Sequence, residues 1–548
     1  MESSRIIKYN PVPKIPVDPL NSPQYALKGR IVTMDNKRTV IDKGVLYISE
    51  SKIVAVQKSG DKAPAGFAEV EIVDTGGTIY PGLIELHNHL SYNILPLWDT
   101  PKKYTNRNQW GGTDEYRKLI SGPMTVMGRT PGYVEAVVRY VECKCLMGGV
   151  TTSQGIALFS NNGIQKYYRG IVRNVETTDD ASLPEAKSKI SDVEAASIEA
   201  FNERLKRQTC LLLHLSEGTD DAAHSHFTDL KLKNGSWAIT NALAGIHCVA
   251  LKNANLKLMR SRGASMVWSP LSNMLLYGET ADIVSAVKNK LLIGIGSDWS
   301  PSGSKNLFGE LKVARLVSRQ LGIMEDPDIL ALATINAAKI LKWDSELGSI
   351  EKGKRADLLV LQGNTGDPYQ TFFNRSETAI SLLIINGTPR YGDVSLMDHW
   401  TDAKEKIKVG GKDYELHLKQ ATADTTVGAL KFKDAKKKLN DGLKDLPNLA
   451  KQLELVPPAA LSIVNANVHP QWFLQLDHND EVEGEKFRLA NPLTTEGVGI
   501  AAIPLSEILG KINLDKITVA DDRHFFAKIR AQENLPQYIK DDLEKMYQ

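Results

Sequence analysis

Residues 81–91 read PGLIELHNHLS, an apolar, strand-like run that leads directly into His87 and His89. In a β-strand, residues two positions apart point to the same side, so both imidazoles can converge on one ion. The spacing alone is weak, because His224 and His226 in DAAHSHFTD repeat it without a preceding strand. We therefore predict that only the first pair takes part in a metal site.

Polar residues also end three later strand-like runs. His214 follows TCLLL, with Glu217 three residues beyond it, His247 follows LAGI, and Asp298 follows LLIGIGS. Each of the histidines alone could equally be a buried core residue. Because barrel enzymes place their catalytic groups at the C-terminal ends of their strands, four such ends together favour one shared site.

The segment 83–344 alternates strand-like and helical patterns. Apolar runs rich in β-branched residues, from ECKCLMGGVTTSQGI to LLIGIGSDW, are separated by amphipathic stretches such as LPEAKSKISDVEAASIEAFNERLKRQ. This alternation predicts a parallel sheet, and its length is close to the ~250 residues typical of an eight-stranded barrel. The predicted fold class is therefore α/β, with a (β/α)₈ TIM barrel.

Short β-like runs flank this segment on both sides. We predict that residues 25–82 and 345–397 form one small composite β-sandwich domain, interrupted by the barrel. Residues 1–24 are rich in proline and predict an irregular lead-in. Residues 398–548 predict a C-terminal α+β extension of unknown role, which opens with lysine-rich helical sequence.

Composition excludes several classes of protein. The chain has 548 residues, 42% of them hydrophobic and 24% charged, and a net charge of +2, which indicates a globular protein without a broad nucleic-acid-binding surface. Its four cysteines are too few and too unevenly spaced for a disulfide framework. No run reaches the ~18 apolar residues of a membrane span. We therefore expect a cytoplasmic protein with no membrane or nucleic-acid partner.

These motifs together resemble the amidohydrolase superfamily, in particular its cytosine and guanine deaminases, triazine hydrolases and imidazolonepropionase-like members. The resemblance covers about residues 25–395. It rests on the H-x-H pair, HLSE at 214–217, His247, SPLSN at 269–273, GSDWSPSG at 296–303 and the passage ATINAAKIL…LGSIEKGKRADLLVL.

The resemblance implies a role for each of these polar residues. It implies one divalent ion, Zn²⁺ or alternatively Fe²⁺, on four ligands: His87, His89, His214 and Asp298. Glu217 would transfer the proton of the attacking water to a leaving nitrogen. His247 would hydrogen-bond that water or polarise the substrate, and Asp298 would also accept a proton.

Several further residues are candidates for binding a small-molecule substrate. Asn273 or Ser272 would orient the substrate, although polar residues in such loops often only cap a turn. Tyr92, Trp98 and Trp299 would form the pocket edge, where aromatic faces suit a planar substrate, although tryptophan is also a common packing residue.

The number of metal ions depends on the fourth strand. Two-metal members of the superfamily bridge their ions with a carboxylated lysine at its end, and we assign this strand to GIVRNVETT (170–178), which has none. Lys166 lies upstream of it. Glu176 could act as a bridge or be an ordinary loop residue, and with the H-x-x-E arrangement present we predict one metal ion.

The resemblance implies hydrolysis of a non-peptide C–N bond in a cyclic amidine or N-heterocycle. Deaminases that act on bases in nucleic acid carry a C-x-x-C motif, which this chain lacks. The alternatives are a two-metal amidase for acyclic amides and a non-catalytic barrel that only binds ligands.

The C-terminal extension lies outside the resemblance. Its acidic cluster lacks the glycine of a calcium loop and predicts a solvated face, formed by Asp477, Asp480, Glu481, Glu483 and Glu485. Because superfamily members are often dimers or larger, the resemblance leaves a homo-oligomer open.

Overall fold

The computed structural model describes residues 24–160, 164–400, 404–420, 424, 426–455, 471–476 and 503–547. The predicted lead-in, apart from residue 24, and the acidic cluster after Leu476 lie outside the described residues. In the described part, no helix combines the length and the apolar character needed to cross a membrane.

The strands are short, and most residues of the parallel ones are buried. In chain order they are β1 Tyr25–Val32, β2 Val40–Ser49, β3 Lys52–Lys58, β4 Ile72–Pro81, β5 Leu83–Ile84, β6 Val150–Ser153, β7 Ala157–Ser160, β8 Gln165–Tyr167, β9 Arg173–Asn174, β10 Ala186–Lys189, β11 Cys210–Leu215, β12 Leu243–His247, β13 Ser265–Trp268, β14 Leu292–Ile295, β15 Leu358–Gln362, β16 Ile380–Ile385, β17 Thr388–Asp393, β18 Glu405–Val409, β19 Lys412–Leu416 and β20 Trp472–Leu474.

The helices lie mostly between the parallel strands and after the last sheet. The α-helices are α1 Asp114–Tyr116, α2 Gly122–Arg129, α3 Tyr133–Met147, α4 Ile198–Leu205, α5 Asp221–Thr228, α6 Asn253–Ser261, α7 Pro270–Tyr277, α8 Ile283–Lys288, α9 Leu307–Leu321, α10 Asp326–Leu332, α11 Ile335–Leu341, α12 Pro368–Phe373, α13 Val394–Met397, α14 Phe432–Lys444, α15 Leu446–Glu454, α16 Leu505–Ile508, α17 Phe525–Ala531 and α18 Gln537–Asp542. Single turns of 3₁₀-helix occur at Leu90–Ile94, Arg107–Gln109, Ala195–Ser197, Glu377–Ala379 and Glu544–Tyr547, and a π-helical turn at Arg117–Ser121.

Two parallel sheets form the centre of the molecule. One has the order β5-β6-β9 and the other β10-β11-β12-β13-β14. Runs such as Cys210–Leu215 are buried along their whole length, as expected for parallel strands covered on both faces. The predicted barrel is thus represented in the described residues by eight parallel strands in two hydrogen-bonded sheets, not by one continuous ladder.

Backbone hydrogen bonds connect the two sheets at both edges. The amide of Ala186 donates to the carbonyl of Val175 at 2.8 Å, next to β9 and β10. On the opposite side, the amide of Leu86 donates to the carbonyl of Ile295 at 3.3 Å, and Asn88 forms a parallel bridge with Asp298. Both edge strands of the β5-β6-β9 sheet, β5 and β9, therefore lie next to edge strands of the five-stranded sheet, β14 and β10, as in a barrel-type arrangement.

A nine-stranded sheet lies beside the parallel strands, in the order β18-β19-β17-β16-β15-β4-β1-β2-β3. It combines strands from before and after the parallel sheets in one hydrogen-bonded sheet. It also extends past residue 397, because β17 pairs with β19 through Tyr391 and Leu416. The first two strands of the C-terminal extension therefore belong to this sheet.

The segment 183–208 differs from its predicted helical pattern. Ala186–Lys189 is the strand β10, paired in parallel with β11, and the helical part is confined to the 3₁₀ turn Ala195–Ser197 and the α-helix Ile198–Leu205. The sequence AKSK carries no apolar alternation, so the strand is formed by its pairing with β11 and not by its own pattern. The segment 142–147, which reads as strand-like, instead completes helix α3, and β6 begins after Gly148 and Gly149.

Candidate active site

The loop after β5 and the loop after β14 hold each other in place. The amide of Asp298 donates to the carbonyl of His87 at 3.1 Å, and the amide of His89 donates to the carbonyl of Asp298 at 2.7 Å. A side chain at Gly296 would place its Cβ 2.5 Å from the Cβ of His87, so this close approach requires glycine. The sequence GSD thus lets Asp298 lie directly against the H-x-H pair.

The four predicted ligands lie together. Nε2 of His87 and Nε2 of His89 are 3.0 and 3.3 Å from Oδ1 of Asp298. Donor atoms of His87, His89 and His214 all lie within 4.8 Å of one another. His247 and Glu217 are within the same reach, since His87–His247–Asp298 and His214–Glu217–His247 form two further groups of this kind. The four predicted ligands and the two predicted catalytic residues, Glu217 and His247, therefore form one cluster.

Left-handed backbone conformations aim two of these side chains. In the β11–β12 pair, His247 lies opposite Leu215, and His214 lies opposite Ile246. Side chains alternate between the two faces of a sheet, so in regular strands the imidazoles of His214 and His247 would point to opposite faces. A φ of 65° at His247 ends the strand, and its ring centroid lies 5.2 Å from that of His214. Asp298 also has a φ of 65°. Non-glycine residues in this region are strained, and such strain concentrates at functional sites.

The donor set fits a divalent metal ion. Nδ1 of His214 is buried and has no hydrogen-bond partner among the described residues, and Nε2 of His87 is buried with only Oδ1 of Asp298 nearby, at 3.0 Å. Buried polar atoms are nearly always hydrogen-bonded, so the unsatisfied nitrogen of His214, in a cluster of three imidazoles and a carboxylate, fits a bound ligand. Imidazole and carboxylate donors suit Zn²⁺ and other first-row divalent ions.

Burial and charge set the protonation of these ligands. Burial lowers the pKa of His87 and holds that of His214 well below its usual value, which favours the neutral imidazole that metal binding requires. Burial alone would raise the pKa of Asp298, but its interactions with His87 and His89 outweigh this effect and hold the pKa well below its usual value. These directions favour neutral His87 and His214 and an ionised Asp298.

Gln154 fixes the tautomer of His87. Its Oε1 accepts from the amide of Asn88 at 2.8 Å and lies 3.2 Å from Nδ1 of His87. Its amide nitrogen donates to Oγ of Ser188 at 2.8 Å. Because the oxygen faces His87, Nδ1 carries the proton and Nε2 directs its lone pair toward the cluster.

Glu176 continues this hydrogen-bond chain away from the ligands. It accepts from Oγ of Ser188 at 2.6 Å and from the amide of Gly155 at 2.8 Å, and burial raises its pKa. It belongs to none of the groups of converging donors found among the described residues. Here Glu176 supports Gln154 and is not placed as a bridging ligand.

The assignment of the fourth strand to residues 170–178 is wrong. Arg173–Asn174 is the third parallel strand, and the fourth is β10, which contains Lys187 and Lys189. Lys187 pairs with Glu185 at 3.3 Å and Lys189 donates to Ser191 at 2.5 Å, so both amines are engaged outside the cluster.

Lys166 lies on β8 and pairs with Asp424 at 2.9 Å. None of the three lysines belongs to the converging donor groups found in the described part of the chain.

Glu217 and His247 face each other beside the ligands. Oε1 of Glu217 accepts from the hydroxyl of Tyr277 at 2.7 Å, and Oε2 lies 3.7 Å from Nε2 of His247. Nδ1 of His247 lies 2.9 Å from Oδ1 of Asn273, whose amide nitrogen donates to Thr280 at 3.4 Å. Nδ1 of His247 is therefore protonated, and its Nε2 is the atom that faces Glu217.

The cluster opens into a cavity of about 470 Å³. Trp299 lines it, as the sequence predicts, with its ring centroid 5.7 Å from that of His89. Tyr92 packs behind Trp299 at 5.2 Å, and Trp98 packs against Tyr116 at 6.2 Å. Neither Tyr92 nor Trp98 is among the residues that line this cavity.

Ser272 and Asn273 are also buried and do not line the cavity. The hydroxyl of Ser272 donates to Oδ2 of Asp298 at 2.5 Å, so it holds the metal-ligand candidate. Asn273 holds His247 in the same way. Both residues orient functional side chains and are not placed to contact a substrate directly.

The cavity wall includes residues that sequence reasoning missed. Arg107, Trp110 and Tyr116 line it, from the long connection between β5 and α2. Arg107 is held by Asp192 at 3.0 Å and by the carbonyl of Ile190. This connection has no periodic apolar pattern that would predict a helix or a strand. The aromatic residues and glycines of NQWGGTDEY (108–116) are the one sequence feature that could have indicated an aromatic cavity wall.

The second H-x-H pair lies on helix α5, apart from the cluster. His226 pairs with Asp192 at 3.0 Å, and His224 lies 3.4 Å from Asn255. In the described residues neither histidine belongs to a group of three converging donors.

Residues 78–390 match the family model described as "Amidohydrolase family". A 5-methylthioadenosine/S-adenosylhomocysteine deaminase of Desulforudis audaxviator (strain MP104C) is 25% identical over 358 residues, 59% of this chain and 81% of the relative. A guanine deaminase of Mus musculus is 23% identical over 381 residues, 61% of this chain and 82% of the relative.

A solved structure has the same fold. It is the atrazine chlorohydrolase of Arthrobacter aurescens TC1 complexed with zinc, 18% identical, with a TM-score of 0.53 over 67% of this chain and 94% of that one. The family match covers more than half of the chain. The chain therefore belongs to the amidohydrolase family, with a fold of the TIM-barrel type, and is a metal-dependent hydrolase of C–N bonds other than peptide bonds.

Proposed function

We propose that this protein hydrolytically deaminates an amino-substituted N-heterocycle or cyclic amidine with the help of one divalent metal ion. The observation that carries the proposal is the convergence of His87, His89, His214 and Asp298 beside Glu217, at the base of an aromatic-walled cavity. The names of the deaminase relatives point to the same class of reaction.

His87, His89, His214 and Asp298 would hold the ion, Zn²⁺ in the first place and Fe²⁺ as the alternative. When bound, such an ion lowers the pKa of a coordinated water from 15.7 toward ~7 and supplies a nucleophile at neutral pH. Within this proposal His247, although in reach, is left out of the ligand set, because it is oriented by Asn273 toward Glu217.

Glu217 would act as general base and then as general acid. Its carboxylate faces the cavity, where it can take a proton from the attacking water and deliver it to the departing nitrogen. Tyr277 donates to Oε1, which leaves Oε2 as the atom directed toward His247 and the substrate. His247 would donate from Nε2 when protonated, or hydrogen-bond the water, and Asp298 is the second candidate proton acceptor.

The cavity wall favours a flat ring. Trp110, Tyr116 and Trp299 form a continuous aromatic surface, with ring centroids 5.2 Å apart for Trp110–Tyr116 and 6.0 Å apart for Trp110–Trp299. Aromatic faces stack on planar heterocycles at low entropic cost. Arg107, at the same wall, adds hydrogen-bond donors for a polar substituent on the ring.

The finer architecture belongs to this proposal. We propose that the eight parallel strands act as one (β/α)₈ barrel within residues 83–344 and that the nine-stranded sheet is its composite companion domain. Residues 398–548 would be an addition to this common core.

The test is ammonia release by the purified, metal-loaded protein. 5-Methylthioadenosine, S-adenosylhomocysteine and guanine are the first compounds to offer, followed by smaller cyclic amidines and, as a contrast, acyclic amides. Release of ammonia from a heterocycle, abolished by metal removal and restored by Zn²⁺ or Fe²⁺, is the expected result. Turnover of acyclic amides alone would contradict the proposal.

A further inference from the structure

Gln532, far along the chain from the family match, is buried against the first long loop of the active site. Its amide nitrogen donates to the carbonyl of Trp98 at 3.0 Å, and its oxygen accepts from the amide of Thr100 at 3.3 Å. Only 3% of Gln532 is exposed. One side chain therefore satisfies a donor and an acceptor of an irregular backbone stretch, as a neighbouring strand would.

Asn534 and Lys528 extend the same contact. The amide nitrogen of Asn534 donates to the carbonyl of Lys102 at 3.2 Å and to the carbonyl of Leu275 at 2.8 Å. Leu275 lies on helix α7, which carries Asn273 and Tyr277, so Asn534 joins this helix to the loop. The amine of Lys528 donates to the carbonyl of Leu97 at 3.2 Å.

A buried ion cluster fixes the other side of this C-terminal segment. Asp515 pairs with Lys144 at 2.5 Å and with Lys305 at 2.6 Å. Lys144 also donates to the carbonyl of Asn93 at 3.0 Å and to the hydroxyl of Ser300 at 2.6 Å. Asn93 and Ser300 belong to the loops that follow the H-x-H pair and Asp298, so the segment contacts both loops from behind.

The held loop packs behind the aromatic wall of the cavity. Trp98, whose carbonyl Gln532 binds, lies 6.2 Å from the ring of Tyr116, and Tyr116 lies 6.2 Å from Trp299. Tyr116 and Trp299 both line the cavity, whereas Gln532 does not reach it. Trp98 thus contacts the aromatic wall through Tyr116.

We infer that residues 503–547 brace the aromatic wall of the cavity, and that Gln532 and Asn534 are positioning residues for substrate binding. Irregular backbone needs partners for its N–H and C=O groups, and residues 97–102 obtain several of them from this segment. Binding depends on a wall held in place before the substrate arrives, because ordering it afterwards costs affinity. This inference rests on the proposed function of the cavity.

The deciding variant is Gln532→Met, which keeps the length and the packing of the side chain but removes its hydrogen bonds to Trp98 and Thr100 and a longer one, 3.5 Å, to Oδ1 of Asp99. Its matched control is Gln537→Met in the same segment, where the exposed side chain only bonds Asp541 within its own helix. Backbone hydrogen exchange of residues 97–116 is measured in both variants and in the wild type. KM, kcat and metal content follow, with the heterocycle that the wild type deaminates.

Gln532→Met is expected to raise exchange in residues 97–116 and KM by about tenfold each, which corresponds to the loss of one or two net hydrogen bonds. Metal content and kcat stay within about twofold, because Gln532 touches no metal ligand candidate. Gln537→Met is expected to match the wild type. Exchange and KM that remain at wild-type values in Gln532→Met overturn the inference.

A fall in kcat or metal content with unchanged KM would also overturn it. Absence of any deamination by the wild type contradicts the proposed function instead, and the exchange measurement still decides whether Gln532 holds the loop.

Discussion

Nε2 of His87, just after the first parallel strand, lies 3.0 Å from Oδ1 of Asp298, just after the last one. Backbone hydrogen bonds between the two loops hold this contact, and Gly296 makes room for it. His214, whose Nδ1 is buried without a hydrogen bond among the described residues, lies in the same cluster. The contact therefore joins the loops after the first and the last parallel strand, β5 and β14, at the place where we propose the metal ion.

Replacing both residues of the H-x-H pair, His87→Ala and His89→Ala, is expected to release the metal. Two of four ligands are lost, and the remaining pair cannot complete a tetrahedral site. The matched control is His224→Ala with His226→Ala, which changes the same motif on helix α5. Metal content measured by elemental analysis should fall to near zero in the first variant and stay at the wild-type level in the second. Retained metal in the first would mean that the site is misplaced.

Glu217→Gln is expected to leave the ion bound and to lower turnover by roughly 10²–10⁴, the range of general acid–base catalysis. The amide keeps the size of the side chain and its contact with Tyr277 but cannot accept the proton. Steady-state ammonia release and metal content are the measurements. Tyr277→Phe, which removes the hydrogen bond to Glu217 and the one from the indole nitrogen of Trp110 but keeps the carboxylate, should cost less. Near-normal turnover by Glu217→Gln would remove Glu217 from the mechanism.

Two buried amides orient two histidines, and their variants should separate the roles of those histidines. Gln154→Leu removes the acceptor of His87 and is expected to weaken metal binding by about 10–100-fold, as for other residues that orient metal ligands. Asn273→Leu removes the acceptor of His247 and should lower turnover by roughly 10² with little change in metal affinity.

Competition with a chelator measures the affinity in each variant. Equal losses of metal affinity in both variants would place His247 among the ligands.

Asp515→Ala is expected to destabilise the protein by about 3–5 kcal/mol, because it leaves Lys144 as a buried charge without its carboxylate, whereas Lys305 keeps Asp522 at 3.0 Å. Burial would raise the pKa of Asp515, but the two lysines outweigh it and lower the pKa. The stabilisation is thus present above the unfolded pKa of about 3.9 and is lost as the pH falls through the lower folded value.

Urea unfolding at pH 7 measures the loss in Asp515→Ala. A change below about 1 kcal/mol would show that the ion cluster does not hold the segment.

The sequence predicted which polar side chains cluster better than it predicted the residues that support them. His87, His214, His247 and Asp298 each end a clear apolar run, so the clustering of these groups could be expected before any coordinates. Gln154 and Tyr277 could not be picked out, because a single polar residue in a loop or helix has many uses and only its distance from a ligand reveals one.

The fold was predictable where the pattern was periodic. The apolar strands β11 to β14 and the flanking sheet carry that signal, whereas β10, with the sequence AKSK, is a strand only because it pairs with β11. Missing β10 shifted the strand count by one and led to the wrong fourth strand. The contacts of Gln532 and Asn534 with the loop at 97–102 join distant parts of the chain, and no local pattern announces them.

The most direct test of the account is the number of metal ions in the purified wild-type protein, counted per chain by elemental analysis after removal of loosely bound ions. We predict one zinc or iron per chain, held by His87, His89, His214 and Asp298. Two tightly bound ions per chain, or none after reconstitution with Zn²⁺ and Fe²⁺, would contradict the one-metal site on which the proposed function rests.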